Sequence, residues 1–591
     1  MADNRKKKKK QKREPVRIPS LKWPLTGFLA VAALVWYLAF NRHVMLLEQE
    51  QNQMFRFATD YFYGFIGRPG GLTQYAANFL VQFFCFPIIG GLIATGLLLA
   101  IALLFGKILK QFEVNPALRD FLAVIPSLLL MQSGRELNIV AHEIALICAM
   151  GGFLLFTTLM ASRLRWWLLA PFIVVLYLTA AGNTLITAVL IALYAFRCRQ
   201  SRWYAGAVAC VVTPFLFHRI FLTTPMRNIY LALTPFVELT PLLSWKAVWI
   251  AVAALPAPVA IIPKLKTGPL AGCVFGVILL CGVAVWDIFS YSRNAELLNR
   301  MVFRATAADW QGVLNAGKRL DNSPYKCFYT NLALQQTGQM PDSMFHYDQI
   351  GTEGLIPRNG NYYVSYILSE FYYRLGMVNE IHHYTMDAIV SIDALKEASA
   401  RCFVRLKECA MLWPNYDLVT KYESLMSSTL FYRNRVQRPE IQPVITENFL
   451  LGRHEEMLEQ VLKACPTHKM AFEYLMAYYM IKLDYENAKK CFDTYYAGMN
   501  YPQLPIHYAE FLTLYGHLNK LGADFFAQYS VPRAVREQFG IMDQLITRFR
   551  RAATEENFKL LESRFGKTYW FNVIFPLTDT KTDYEAEENI Y

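Results

Sequence analysis

The chain has 591 residues, of which 54% are hydrophobic, and its mean hydropathy of +0.21 is high for a soluble protein of this length. Its formal net charge is +13, yet only nine acidic side chains lie between residues 21 and 290, whereas 35 follow residue 290. This asymmetry excludes one uniformly soluble domain and indicates an apolar first half joined to a soluble second half.

Residues 1–20 form a polybasic tail, in which every position from 5 to 13 except Gln11 is Lys or Arg. Cytoplasmic segments next to a membrane span retain Lys and Arg, so this tail is predicted to be cytoplasmic. Basic side chains near an anionic lipid surface contribute about 1 kcal/mol each. The expected partner of the tail is therefore the lipid bilayer, and nucleic acid is not expected.

Residues 21–292 are predicted to form a transmembrane bundle of about nine spans. Basic residues occur at every second loop between the apolar segments, which gives a cytoplasmic N-terminus and an extracytoplasmic C-terminus. Two segments, 121–132 and 184–196, are short against the ~20 residues that a helix needs to cross a bilayer. The nine segments are residues 23–40, 79–105, 121–132, 139–160, 166–181, 184–196, 204–222, 245–263 and 268–289.

Residues 293–591 are predicted to form a soluble, extracytoplasmic helical domain. The clearest unit is residues 469–496, in which Phe472, Leu475, Tyr479, Ala488 and Phe492 follow the spacing of tetratricopeptide (TPR) helix pairs. Such repeats usually present a concave surface to a protein partner. The predicted fold class is thus all-α: a polytopic transmembrane helical bundle followed by a TPR-like helical-repeat domain.

Three stretches of sequence carry a resemblance to a known family. They are residues 50–55 (Glu-Gln-Asn-Gln-Met-Phe), the Pro-Gly-Gly-Leu of 69–72 with the Asn-Phe-Leu-Val-Gln-Phe-Phe of 78–84, and the Phe-Gly-Lys-Thr-Tyr-Trp-Phe of 565–571. Together they resemble an uncharacterised family of Bacteroidota-type inner-membrane proteins. The resemblance implies a bacterial cytoplasmic-membrane location with a periplasmic C-terminal domain, but no activity.

The overall layout is distantly similar to that of GT-C glycosyltransferases. Those enzymes have many spans, a long first outer loop with acidic residues and a soluble C-terminal domain. They transfer a sugar from a polyprenyl-phosphate donor at the outer leaflet, with an acidic residue of that loop as base. The resemblance therefore implies a polyprenyl-phosphate sugar as substrate, although a shared layout does not by itself determine function.

Four residues are candidates for catalysis. Glu50 and Asp60 lie in the first predicted outer loop, where a carboxylate accepts a proton from an acceptor hydroxyl. His142 and Glu143 lie near the outer end of a predicted span, where ionisable side chains are costly and usually face a cavity or a partner. The alternatives are solvated charges on an interfacial helix for the first pair and salt bridges between helices for the second.

Four arginines are candidates for substrate binding: Arg68, Arg135, Arg219 and Arg227. Arginine binds phosphate groups bidentately, so these side chains suit a lipid phosphate or diphosphate. No Cys or His spacing predicts a metal site, and the cofactor stays unassigned. The sequence leaves two functions open: a GT-C-like transferase, and a non-enzymatic envelope scaffold that recruits a protein partner through the TPR-like domain.

Overall fold

The fold is described from a computed structural model, which covers fifteen segments of the chain. These are residues 22–38, 43–66, 68–131, 139–160, 165–220, 225–236, 243–258, 269–290, 293–358, 362–391, 399–412, 416–433, 441–444, 453–551 and 553–576. The structure is 81% helix and the described segments contain no strand, which confirms the all-α prediction.

The chain divides into two compact units. The N-terminal unit comprises Met1–Glu50 and Phe57–Tyr291, and the C-terminal unit comprises Gln51–Arg56 and Ser292–Tyr591. The short segment 51–56 therefore belongs to the C-terminal unit, although the sequence on both sides of it belongs to the other unit. The functional assignments of residues 1–20, 21–292 and 293–591 stay predictions.

Thirteen helices begin in the described part of the N-terminal unit, which has one large hydrophobic core. Their bounds are Lys22–Leu38, His43–Gln51, Thr59–Ile66, Gly71–Val81, Pro87–Gln111, Pro116–Met131, Ile139–Met160, Arg165–Ala180, Thr184–Cys198, Tyr204–Ile220, Met226–Leu231, Leu243–Ala254 and Pro269–Ser290. The core is almost entirely aliphatic and aromatic, with Leu98, Ile101, Phe105 and Phe153 fully buried.

The prediction of nine spans is wrong for the described residues, in which three helical stretches are long and apolar enough to cross a membrane. These are Pro87–Gln111, Ile139–Met160 and Trp167–Cys198, with 25, 22 and 32 residues. The last one replaces the two spans predicted at 166–181 and 184–196. Residues 121–131 of the predicted segment 121–132 lie in the 16-residue helix Pro116–Met131, which contains Pro126, and Gln132 lies outside the described residues. Tyr204–Ile220 and Leu243–Ala254, which overlap two other predicted spans, are shorter than the ~20 residues that a span needs.

A buried interruption divides the longest of these stretches. Ala181–Asn183 forms a single 3-10 turn, in which Gly182 N donates to the Ala232 carbonyl at 2.9 Å. The Asn183 side chain is fully buried, and its Nδ2 donates to the Leu233 carbonyl at 2.7 Å. Non-helical backbone at membrane depth is tolerated only where other protein groups satisfy it. Residues 225–236 supply those groups here.

Sixteen helices lie in the described part of the C-terminal unit, and all but Tyr416–Ser427 contribute to one core rich in tyrosine and phenylalanine. Their bounds are Arg293–Thr306, Trp310–Gly317, Pro324–Gln336, Met340–Ser343, Tyr362–Leu375, Val378–Ser391, Ala400–Leu412, Tyr416–Ser427, His454–Ala464, Lys469–Lys482, Tyr485–Tyr495, Ile506–Leu518, Ala523–Gln528, Arg533–Arg551, Glu555–Phe565 and Tyr569–Ile574.

Two of these helices, Lys469–Lys482 and Tyr485–Tyr495, form the pair predicted from the spacing at 469–496. Leu483 adopts a left-handed conformation between them (φ 60°), and Asp484 caps the second helix by accepting from Asn487 N at 3.3 Å. Ala488 is fully buried. That this pair and its neighbours form a TPR-like repeat stays a prediction.

Replacing Ala488 by leucine is expected to destabilise the C-terminal unit by about 1–3 kcal/mol, because three extra carbons must enter a filled interface. Chemical unfolding of the full-length protein in detergent, followed by tryptophan fluorescence, measures the change. Lys490→Leu is the control, since Lys490 is exposed on the same helix. Equal unfolding midpoints for the two variants would contradict the packing described here.

Candidate active site

Glu50 is a buried carboxylate at the end of the helix His43–Gln51. Only 2% of the residue is exposed, and Glu48 on the same helix is also buried. Buried carboxylates are uncommon because taking an ionised group out of water is costly. Glu50 is therefore not a solvated surface charge, and its catalytic role stays a prediction.

The six residues that follow Glu50 are held by the C-terminal unit. The Gln51 carbonyl accepts from Ser399 Oγ at 2.7 Å, and Gln51 Nε2 donates to the Tyr432 hydroxyl at 3.0 Å. Arg401 Nη2 donates to Asn52 Oδ1 at 3.0 Å. These three hydrogen bonds fix the backbone and two successive side chains of an otherwise non-helical segment. We call residues 51–56 the clamped segment.

Apolar contacts complete the attachment of the clamped segment. Met54 is 4% exposed and lies in a small core with Ala400, Met426 and Tyr432. The guanidinium of Arg401 also stacks over the ring of Tyr366 at 4.0 Å, so the residue is itself buried and fixed. The segment that immediately follows Glu50 in the chain is thus held by both polar and apolar contacts.

Replacing Arg401 by leucine is expected to loosen the clamped segment. The variant loses a hydrogen bond from a charged donor, which contributes about 1.5–3 kcal/mol. Amide hydrogens of residues 51–56 should then exchange about tenfold faster or more, since 1.4 kcal/mol is a factor of ten. Hydrogen–deuterium exchange of the full-length protein measures this rate.

Arg533→Leu is the matched control for this measurement. Arg533 pairs with Glu537 on the same helix, and both side chains are largely exposed. Its loss should leave the exchange of residues 51–56 unchanged. If Arg401→Leu also leaves that exchange unchanged, Arg401 does not hold the clamped segment.

His142 and Glu143 lie in the first turn of the helix Ile139–Met160, and both are buried. This helix is one of the three that are long and apolar enough to cross a membrane. Adjacent helical positions point about 100° apart, so the two side chains face different neighbours. Burial of both residues in an apolar helix agrees with their selection from the sequence, but their catalytic roles stay predictions.

The other candidates differ from these in their environment. Asp60, Arg68, Arg219 and Arg227 are exposed on the surface of the N-terminal unit. Arg227 Nη2 donates to the Phe236 carbonyl at 3.3 Å. Arg135 lies outside the described residues. The candidates therefore divide into a buried group, formed by Glu50, His142 and Glu143, and an exposed group.

The described part of the chain contains no group of three or more His, Cys, Asp or Glu side chains that could hold a metal ion. The eleven cysteines are free thiols.

Comparison with known families gives one match, which spans residues 18–576 and so includes most of both units. The matching model describes a family of unknown function, DUF6057. This chain belongs to that family. The resemblance to an uncharacterised family is thereby confirmed. No curated protein and no solved structure matches the chain.

Membership of DUF6057 assigns no activity, so the chemistry must be argued from the residues themselves. Sequence reasoning selected Glu50 but missed the clamped segment, because Ser399, Arg401 and Tyr432 lie about 350 residues further along the chain. It placed a break between two spans at Gly182 and Asn183, but it did not predict the hydrogen bonds of that turn to the Ala232 and Leu233 carbonyls. A polar residue inside an apolar stretch, here Asn183, was the available signal for that turn.

Proposed function

We propose that this protein is a membrane-bound transferase of the GT-C kind, which uses a polyprenyl-phosphate-linked sugar at the outer leaflet. The observation that supports it best is the buried carboxylate of Glu50 beside the clamped segment. A catalytic group must be held within about 0.5 Å of its working position by its surroundings. The hydrogen bonds to Gln51 and Asn52 restrain the chain immediately after Glu50.

In this proposal Glu50 is the general base. Its carboxylate accepts the proton of an acceptor hydroxyl while that oxygen forms a bond to the anomeric carbon of the donor sugar. The bond between the sugar and the polyprenyl phosphate breaks, and the phosphate leaves with its electron pair. Asp60 is the alternative base, but it is exposed, and burial favours Glu50.

Arginine side chains are proposed to hold the leaving phosphate. Arg219 and Arg227 are exposed, as a group that meets a lipid headgroup must be, and Arg68 lies in the turn before Gly70. Arg135 completes the proposed set. His142 and Glu143 would orient groups or relay a proton from within the apolar helix.

The proposed location is a bacterial cytoplasmic membrane, with the N-terminal tail inside and the C-terminal unit in the periplasm. The Lys and Arg residues at every second loop between the apolar segments support this orientation. The tail would contact anionic lipid through its Lys and Arg side chains. Reporter fusions to residue 591 test the side on which the C-terminus lies.

A scaffold is the competing function, in which a TPR-like surface of the C-terminal unit recruits a protein partner. The two functions differ in what accumulates when the gene is deleted. The transferase predicts a rise in polyprenyl-phosphate-linked sugars in lipid extracts, measured by mass spectrometry. An unchanged lipid profile, together with a defect that depends only on the C-terminal unit, would support the scaffold.

A further inference from the structure

A cavity of about 470 Å³ opens on the C-terminal unit between the helices Ile506–Leu518 and Arg533–Arg551. Its size lies in the range of about 300–1,000 Å³ that is usual for small-molecule sites. It belongs entirely to the C-terminal unit, and none of its residues takes part in the proposed transfer reaction. Its chemistry can therefore be considered independently of Glu50.

Two aromatic rings form the apolar walls of the cavity. Phe526 packs against Gly516, where an added Cβ would approach the Cζ of the ring to 2.7 Å. Phe539 forms the facing wall and contacts the ring of His517, with 5.1 Å between the centroids. Gly540 lines the same cavity, and a Cβ there would meet nothing within 4 Å. A side chain can therefore be introduced at Gly540 without a clash at its Cβ.

The charged residues of the cavity are mostly basic. Lys520 and Arg536 face the single carboxylate of Asp543, and no ion pair joins any of the three to another side chain in the described segments. The Arg536 guanidinium lies over Phe526 at 5.3 Å, and its buried Nε has no hydrogen-bond partner. A buried donor without an acceptor costs about 1–3 kcal/mol. Two cations against one carboxylate make the cavity favourable for an anionic ligand.

We propose that this cavity binds a small polyhydroxylated anion, with sugar phosphates and sugar acids as the two forms of that chemistry. Arg536 and Lys520 contact the anionic group, which arginine binds through parallel hydrogen bonds. Phe526 and Phe539 contact the apolar face of the sugar ring. Asp543 accepts a hydrogen bond from a hydroxyl group. This ligand would be soluble, unlike the lipid-linked sugar proposed above, and it would bind to the C-terminal unit.

Isothermal titration calorimetry of the full-length protein in detergent tests the proposal with three probes: glucose 6-phosphate, glucuronate and glucose. Saturable binding of at least one of the two anions, and none of glucose, is the expected result. The anion that binds identifies the source of the charge. If neither anion binds at concentrations up to about 10 mM, any dissociation constant is weaker than the millimolar range and the proposal is wrong.

Two variants locate the binding in this cavity. Arg536→Gln should weaken anion binding at least tenfold, whereas Arg533→Gln, an exposed arginine of the same helix, should leave it unchanged. Gly540→Leu fills the open space without altering a charge, and it should also abolish binding. Helix content measured by circular dichroism shows that each variant is folded. Equal affinity in wild type, Arg536→Gln and Gly540→Leu would overturn the assignment.

Discussion

Replacing Glu50 by glutamine is expected to abolish function while the protein still inserts and accumulates normally. Glutamine keeps the size and hydrogen-bonding capacity of the side chain but cannot accept a proton as a base. A general base contributes typically 10²–10⁴-fold to the rate, so the transfer rate should fall by about that factor. Complementation of a deletion strain, with protein level measured in membranes, records the loss.

Glu113→Gln is the matched control for this substitution. Glu113 is a carboxylate of the same unit, with its side chain 77% exposed in a surface pair with Arg197 at 2.6 Å. Its removal should leave complementation intact, because exposed ion pairs contribute little. If Glu50→Gln complements as well as Glu113→Gln does, Glu50 is not the base. Asp60→Asn then tests the alternative.

Replacing Gly182 by alanine is expected to destabilise the N-terminal unit severely. An added Cβ would approach the Tyr230 carbonyl oxygen to 2.5 Å and the Ala232 carbonyl oxygen to 2.9 Å. Neither oxygen can retreat easily, because both belong to the backbone of residues 225–236. Overpacking costs typically 1–3 kcal/mol, and loss of the Gly182–Ala232 hydrogen bond adds about 1–3 kcal/mol.

The expected cost for Gly182→Ala is therefore roughly 2–6 kcal/mol, enough to reduce the folded fraction of a marginally stable unit. Thermal unfolding of the detergent-purified protein, read by size-exclusion chromatography after heating, measures it. Gly151→Ala is the control, since a Cβ at Gly151 meets nothing within 4 Å and lies in a helix. A variant at Gly182 as stable as the one at Gly151 would contradict the close contact at the turn.

The helical class and the best helix pair could be predicted because both depend on local sequence. The spacing from Phe472 to Phe492 repeats every three or four residues, and that period defines the buried face of a helix. The small residue Ala488 marks the close contact between the two helices. A stretch of about thirty residues is enough to recognise these features in the sequence.

The number of spans could not be predicted because hydropathy measures composition and not helix length. Segment 121–132 is apolar, yet its residues 121–131 belong to a helix of only 16 residues, which contains Pro126. The turn at Ala181–Asn183 divides an apolar stretch that sequence reasoning divided into two spans. The acceptors of its buried hydrogen bonds are the carbonyls of residues 232–233, which lie about 50 residues further along the chain. The composition around the turn does not predict these contacts.

The candidate site shows the same division between local and distant information. Glu50, His142 and Glu143 could be selected because ionisable residues are rare between residues 21 and 290. Only the structure shows that these three side chains are buried. The clamped segment joins Gln51 and Asn52 to residues near 400, and no local pattern predicts a contact over that separation.

The most direct test of the proposed activity uses purified protein and membranes from a deletion strain, which contain both donor and acceptor. Wild-type protein added to these membranes should consume polyprenyl-phosphate-linked sugar over time, as followed by mass spectrometry of the lipid extract. Glu50→Gln, added in equal amount, should consume none. If wild-type protein leaves every polyprenyl-linked sugar unchanged, the transferase proposal is contradicted.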